Sequence, residues 1–317
     1  MIYLPDFKEK SILFINSGDL NESKIKFGND NIIFLKDGKI NNRVSCHKVF
    51  AIFIIGEISI TSVLIKKCLS YGVSLFLLDR SFKVYASFGA KAEGNYLLRM
   101  KQYSFDKELV FAKHIVKNKV FNQMRLLRQR KILPKDEYHN LKKIIFAKIE
   151  IAKDNQELLG LEGSRQRDFY SLYFKDLGWY KRMPRTKVDE FNLLLDMGYT
   201  FLFNYCDSLL RLYGFDTYKG FYHKLFFQRK SLSCDIMEPF RCIIDSCLLK
   251  VFHLKQVDKG DFKIIKGRYT LDFRKSQKYA EIFLQAISSR KEEIFNFVYG
   301  FYKAVLKDSA LLPIFKI

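Results

Sequence analysis

The sequence predicts an α+β fold, with a small N-terminal β-rich domain carrying one helix over residues 1–90 and a larger all-α domain over residues 91–317. Three observations predict it. Up to residue 88 the apolar residues come in short, β-branched runs bounded by turn residues. From Asn95 onward they recur at three- and four-residue spacing, the period of a helix. Strands gathered ahead of helices, instead of alternating with them, argue for two units and against a βαβ array.

In the first part, residues 11–15 form an apolar, β-branched run, and residues 31–36 meet Lys39-Ile40 through Asp37-Gly38, a strong hairpin signal. Residues 49–55 are apolar throughout, as in a strand buried on both faces. A helix is expected over 62–71, capped by Thr61 and stopped by Gly72. Residues 73–78 and 84–88 then close the sheet as a pair. The texture changes in the Gly- and Ala-rich stretch 88–94. Helices are expected near 106–130, 136–153, 155–182, 187–213, 232–252, 275–289 and 291–306, with 214–216 and 255–268 as the clearest interior loops.

Apolar residues make up 48% of the 317, enough for a sizeable core. The 55 basic against 34 acidic residues give a net charge of +21, spread along the chain, and such a surface attracts polyanions. The six cysteines have irregular spacing and no C-x-x-C pair, so they read as reduced thiols of a cytoplasmic protein. The first ten residues do not read as a signal peptide, and no apolar run reaches the roughly 18–20 residues of a membrane span, so no membrane partner is expected. A phosphate-binding G-x-x-x-x-G-K-[ST] loop and a G-x-S-x-G elbow are both missing, which argues against nucleotide-driven motors and serine hydrolases.

Three segments could carry chemistry. Gly160-Leu-Glu162-Gly163 places a carboxylate between two glycines inside a helical pattern, at a cost of about 1 kcal/mol for each glycine relative to alanine, with Arg165 and Arg167 about a turn away. Gly220-Phe-Tyr-His223-Lys224 sets an imidazole between helices. Residues 231–241 hold Asp235 and Glu238 on one helix face among apolar neighbours, with Asp245 a candidate for the same face. Pro239 opposes the carbonyl of Asp235 and should bend the helix there. Two like charges on a half-buried face need a compensating cation, which is either a metal or, more plainly, Arg241. Each segment also has a plain explanation, a surface glutamate for Glu162 and a core or surface histidine for His223. Carboxylates with one histidine suit Mg²⁺ or Mn²⁺ better than structural zinc. Arg165, Arg167, Lys224, Arg229, Lys230 and Arg241 lie beside these features as candidate nucleic-acid contacts, interleaved with aromatics including Phe226 and Phe227 that could stack on bases or belong to the core.

Together the three segments resemble, in order, the E-G-x-x-x-R, G-F-x-H and S-L-x-x-D-[LI]-M-E-x-F-R segments of the CRISPR-associated spacer integrase/endonuclease, the Cas-one family, and the resemblance extends over essentially the whole chain. It implies a catalytic metal held by Glu162, His223 and Glu238, with Asp235 in support. It also implies that the N-terminal part is β-sandwich-like and the all-α part catalytic, and it implies a homodimer, a small ferredoxin-like partner (Cas-two), and double-stranded DNA, both protospacer and CRISPR repeat, as substrate. The implied reaction joins 3′-hydroxyl ends of captured DNA to the repeat by transesterification. Arg165 and Gln166 replace small residues usual in the first segment, which puts substrate contacts there in question. Two alternatives stay open: a metal-dependent, structure-selective nuclease without integration, and a non-catalytic nucleic-acid-binding scaffold.

Overall fold

A computed structural model of the chain describes residues 4–17, 23–89, 92, 94–179, 181–224, 226–309 and 311–317, so the expected boundary at 90/91 lies outside the described residues. A short helix α1 (Leu4–Lys8) leads into β1 (Ser11–Asn16), β2 (Ser23–Gly28), β3 (Asn31–Lys36), β4 (Lys39–Ser45), β5 (Val49–Ile55), β6 (Ser59–Ile60), α2 (Ser62–Ser70), β7 (Ser74–Leu78) and β8 (Val84–Phe88). The strands form two four-stranded sheets, ordered β1-β5-β7-β8 and β4-β3-β2-β6. Between them lies a core that includes Ile15, Ile25, Phe34, Ile52, Ile54 and Leu75, which makes the expected sandwich. The β3–β4 hairpin turns at Asp37 and Gly38, both at positive φ. Thr61 caps α2 by accepting from the Leu64 N–H.

Two details depart from expectation. The pairs β1–β5 and β5–β7 are parallel, with α2 as the crossover between β5 and β7, so a βαβ unit does sit inside the sandwich. The strand-rich part is also not a separate core. Ile52 and Ile54 of β5 face the other sheet, whereas Phe53 and Ile55 join the helical core, where the Phe53 ring meets Phe201 edge-on at 5.1 Å. Each such burial contributes about 1.5–3 kcal/mol, which is why residues 49–55 are apolar on both faces.

The helical part comprises α3 (Tyr96–Tyr103), α4 (Glu108–Gln129), α5 (Lys135–Ile151), α6 (Asn155–Tyr173), α7 (Glu190–Tyr213), α8 (Ser231–Met237), α9 (Arg241–His253), α10 (Ser276–Ser288) and α11 (Lys291–Leu306). The helix expected over 155–182 ends at Tyr173, and the one expected over 232–252 is split by a 3₁₀ turn, Glu238–Phe240, at Pro239. That turn sets the direction of Glu238. The part is not purely helical: the segment 255–268, expected as a loop, runs into a hairpin of β9 (Phe262–Ile265) and β10 (Arg268–Leu271). Ile264 and Ile265 are both exposed, so the hairpin lacks the in–out alternation that marks a strand in sequence.

Candidate active site

Four segments meet around α4. Lys119 lies in the middle of that helix on its buried side, in line with Ala112, Ile115, Val116 and Asn122, and is itself only 3% exposed. Its ammonium donates to Glu162 Oε1 from α6 and to Glu238 Oε2 from the 3₁₀ turn. Arg241, one turn beyond Glu238, places its guanidinium 3.2 Å from Glu238 Oε1 and 4.3 Å from the centroid of the Tyr199 ring. Asp235, fully buried in α8, accepts from the backbone N–H groups of Phe221 (2.7 Å), Tyr222 (3.0 Å) and His223 (2.9 Å). It also takes the His223 Nδ1 at 2.7 Å. One carboxylate thus pins the 220–224 loop and fixes the imidazole, leaving Nε2 as the ring's other ligating atom. Gly220 makes this possible, since a Cβ there would stand 2.8 Å from Asp235 Oδ2.

The charges are tightly balanced. Burial disfavours the ionised Glu238, but Lys119, Arg241 and His223 outweigh it and hold its pKa down at about 2. Burial likewise opposes the Lys119 ammonium, and the two carboxylates beside it more than offset that and raise its pKa. Asp245 does not share this face, contrary to expectation. It is buried behind Arg241 and accepts from the Tyr199 hydroxyl, which in turn meets Tyr170 at 2.8 Å. Burial pushes Asp245 up to about 6, against the Tyr199 hydrogen bond and the pull of Arg241. An aspartate raised from 3.8 to about 6 stays protonated in the fold while its unfolded counterpart ionises, so stability falls as pH rises through that window and levels off above it. Asp245→Asn removes this slope, and its melting temperature relative to wild type is expected to climb from about pH 4 to about pH 6 and then stay constant. Parallel curves across that range would count against a buried, protonated Asp245.

The cations read from the sequence divide. Arg167 and Lys224 are exposed; Arg165 is half-buried and pairs with Asp168 at 2.9 Å. Arg229 donates to the Lys224 carbonyl and to Ser231 Oγ, bracing the same loop. Lys230 pairs with buried Asp207 at 2.8 Å, and Arg241 is committed to Glu238, so the geometry assigns these two to internal charge balance. Most of the interleaved aromatics are core, including Phe169, Tyr170, Phe221 and Tyr222, while Phe226 and Phe227 are exposed at 71% and 84%.

Does this set fit a divalent cation? Two carboxylates already converge on one buried positive charge, and an oriented imidazole lies within electrostatic reach of Glu238. The Tyr222 hydroxyl and Arg241 Nε are buried without hydrogen-bond partners. A hard or borderline metal suits the two carboxylates and the imidazole. The shell is not closed, however. Among the described residues no three His, Cys, Asp or Glu side chains stand together at metal-holding distance, and Lys119 fills the space between two of the expected ligands. The sequence reading missed Lys119. Its one local signal is a charge on a helix stripe that is otherwise apolar or amide.

Comparison with known proteins places this geometry in context. A family model described as "CRISPR associated protein Cas1" matches residues 19–285. A curated relative from Thermodesulfovibrio yellowstonii, named "CRISPR-associated endonuclease Cas1 1", is 24% identical over 95% of this chain and 99% of its own length. Among solved structures, a "Casposase bound to integration product" shares the fold with a TM-score of 0.78 at 19% identity, over 95% of this chain and 92% of that one. A chain of a "Cas6-RT-Cas1--Cas2 complex" matches with a TM-score of 0.79 at 24% identity, over 97% of this chain, which spans 36% of that longer chain.

Proposed function

This chain belongs to the CRISPR-associated Cas1 family, and from that membership and the site's geometry we propose that it is a divalent-metal-dependent DNA endonuclease and integrase of CRISPR adaptation. The observation that carries the reading is the meeting of Glu162 and Glu238 on one buried cation beside an imidazole fixed by Asp235. Glu162, His223 and Glu238 are the residues that would hold Mg²⁺ or Mn²⁺, which when bound supplies charge stabilisation for the phosphate and its leaving oxygen.

The chain's own residues do the positioning. Asp235 and Arg229 hold the loop that carries His223. Exposed Arg167 and Lys224, with Arg165, lie where they can take the DNA backbone. In the joining step a 3′-hydroxyl oxygen of the captured DNA forms a bond to a repeat phosphorus, the bond from that phosphorus to the repeat's own 3′-oxygen breaks, and the proton passes to the leaving oxygen. One phosphodiester replaces another, so no nucleotide triphosphate is needed, in keeping with the missing phosphate-binding loop. With water as the attacking group the same site cuts, a reading favoured by the name of the Thermodesulfovibrio relative. The casposase neighbour bears on joining, and the Cas1--Cas2 neighbour on assembly with the small Cas2 partner. We further take the working form to be a homodimer in the cytoplasm; among the described residues no helix is long and apolar enough to cross a membrane.

A duplex with free 3′-hydroxyls, a repeat-bearing plasmid and the small partner provide the test. Covalent joint products are expected with Mg²⁺ or Mn²⁺, and none with EDTA or with 3′-deoxy ends. Cleavage without joint products would reduce the protein to a nuclease, and EDTA-resistant joining would remove the metal.

A further inference from the structure

Lys119 poses a problem that the metal reading does not solve by itself. Its ammonium occupies the space between Glu162 and Glu238, and its side chain is more buried than either carboxylate it bridges. A dication gripping those carboxylates must displace it, and a displaced buried ammonium is costly unless another anion receives it. The local charges say which anion. Glu162, Glu238 and Asp235 bring three negative charges, and Lys119 and Arg241 two positive ones. With the imidazole uncharged, as a metal ligand must be, and Asp245 set apart on the Tyr199 hydroxyl, these groups carry one net negative charge. A divalent cation turns that into one net positive charge, and a single phosphodiester restores neutrality.

Resting on the metal reading above, we propose that Lys119 is a tethered cation that competes with the metal for Glu162 and Glu238 and is released to the phosphate of the arriving DNA, so that metal and DNA load together. The protein alone then holds its catalytic carboxylates in place without a metal and binds metal weakly. DNA improves metal affinity, and by reciprocity the metal improves affinity for DNA. The coupling ties hydrolytic competence to the presence of substrate.

Mn²⁺ binding to the full-length chain, read from the electron paramagnetic resonance of free Mn²⁺, tests this with and without a duplex carrying 3′-deoxy ends, so that no joining occurs. Wild type is expected to bind Mn²⁺ about tenfold or more tightly with the duplex than without it. Lys119→Met keeps the unbranched, flexible stem, one atom shorter, and removes its charge. It is expected to bind Mn²⁺ more tightly than wild type when DNA is absent, and to lose most of the coupling, whereas Lys119→Arg keeps it. Without Lys119 the two carboxylates repel, so Lys119→Met should also melt lower than wild type in EDTA and recover with Mn²⁺. If it does not fold in EDTA, recovery of folding on Mn²⁺ addition reports the same competition, and failure to recover overturns it. DNA-free Mn²⁺ affinity in Lys119→Met equal to or weaker than wild type also overturns the proposal. Glu238→Gln separates the two levels: if this variant binds Mn²⁺ as tightly as wild type does, the metal reading itself fails, whereas loss of its Mn²⁺ binding with no effect of Lys119→Met removes only the role of Lys119.

Discussion

Glu238→Gln is expected to reduce strand joining by at least about a hundredfold while duplex affinity measured in EDTA, where no metal couples to the DNA, stays near wild type. Glutamine keeps the volume and one carbonyl oxygen, so the 3₁₀ turn at Pro239 should survive. The negative charge disappears, and with it the group that Lys119 and Arg241 both face. Lys119 and Arg241 hold the wild-type Glu238 ionised, and an amide cannot acquire that charge at any pH, so the loss cannot be recovered by raising pH. Glu238→Ala should be worse for folding, since a cavity opens and both buried Lys119 and half-buried Arg241 lose a carboxylate; breaking a fully buried pair costs about 3–5 kcal/mol. A single-turnover joining assay beside fluorescence anisotropy on the same duplex reads both quantities. Joining at the wild-type rate would dismiss Glu238 as a catalytic group, and a parallel collapse of DNA affinity would recast it as a structural one.

Asp235→Ala is expected to damage stability and activity together. Three backbone N–H groups and one imidazole nitrogen lose their acceptor, a carboxylate that is fully buried. Each unsatisfied donor costs about 1–3 kcal/mol, so a loss of several kcal/mol is expected in a denaturant titration. Freed of Asp235, the His223 ring also loses its fixed orientation, and removal of such a supporting partner typically costs about 10–100-fold in metal affinity or activity. Asp235→Asn discriminates between the two effects. Its amide nitrogen faces donors instead of accepting from them, so part of the loop anchoring fails while the shape is kept. An unfolding midpoint and joining rate at wild-type level for Asp235→Ala would show that the loop is held by other contacts.

Much of this was legible in the sequence because it was written in local patterns. Thr61, Asp37-Gly38 and Pro239 act within a few residues of themselves, and their consequences followed. The strands followed from the runs of β-branched residues, their packing as a sandwich from the family resemblance, and residues 49–55 announced their two-sided burial by being apolar on both faces. The β9–β10 hairpin escaped notice because its isoleucines face solvent and its lysines mask the alternation. At the site, Glu162, His223, Asp235 and Glu238 stood out through oddities around them: flanking glycines, an aromatic setting, two carboxylates one turn apart, a proline in a helix. Lys119 had no such surroundings and was one of 55 lysines and arginines.

By itself the sequence determined the strand-then-helix architecture, the basic character and the segments in which acidic and imidazole groups are concentrated, because periodicity, caps and turn residues are properties of neighbours along the chain. The tertiary structure alone decided which of those charges meet. It drew Lys119 between Glu162 and Glu238, turned Arg241 and Lys230 inward onto carboxylates, and sent Asp245 to Tyr199. Coulomb interaction depends on distance in space and on burial, and neither is encoded in the spacing of 43 residues between Lys119 and Glu162 or 119 between Lys119 and Glu238.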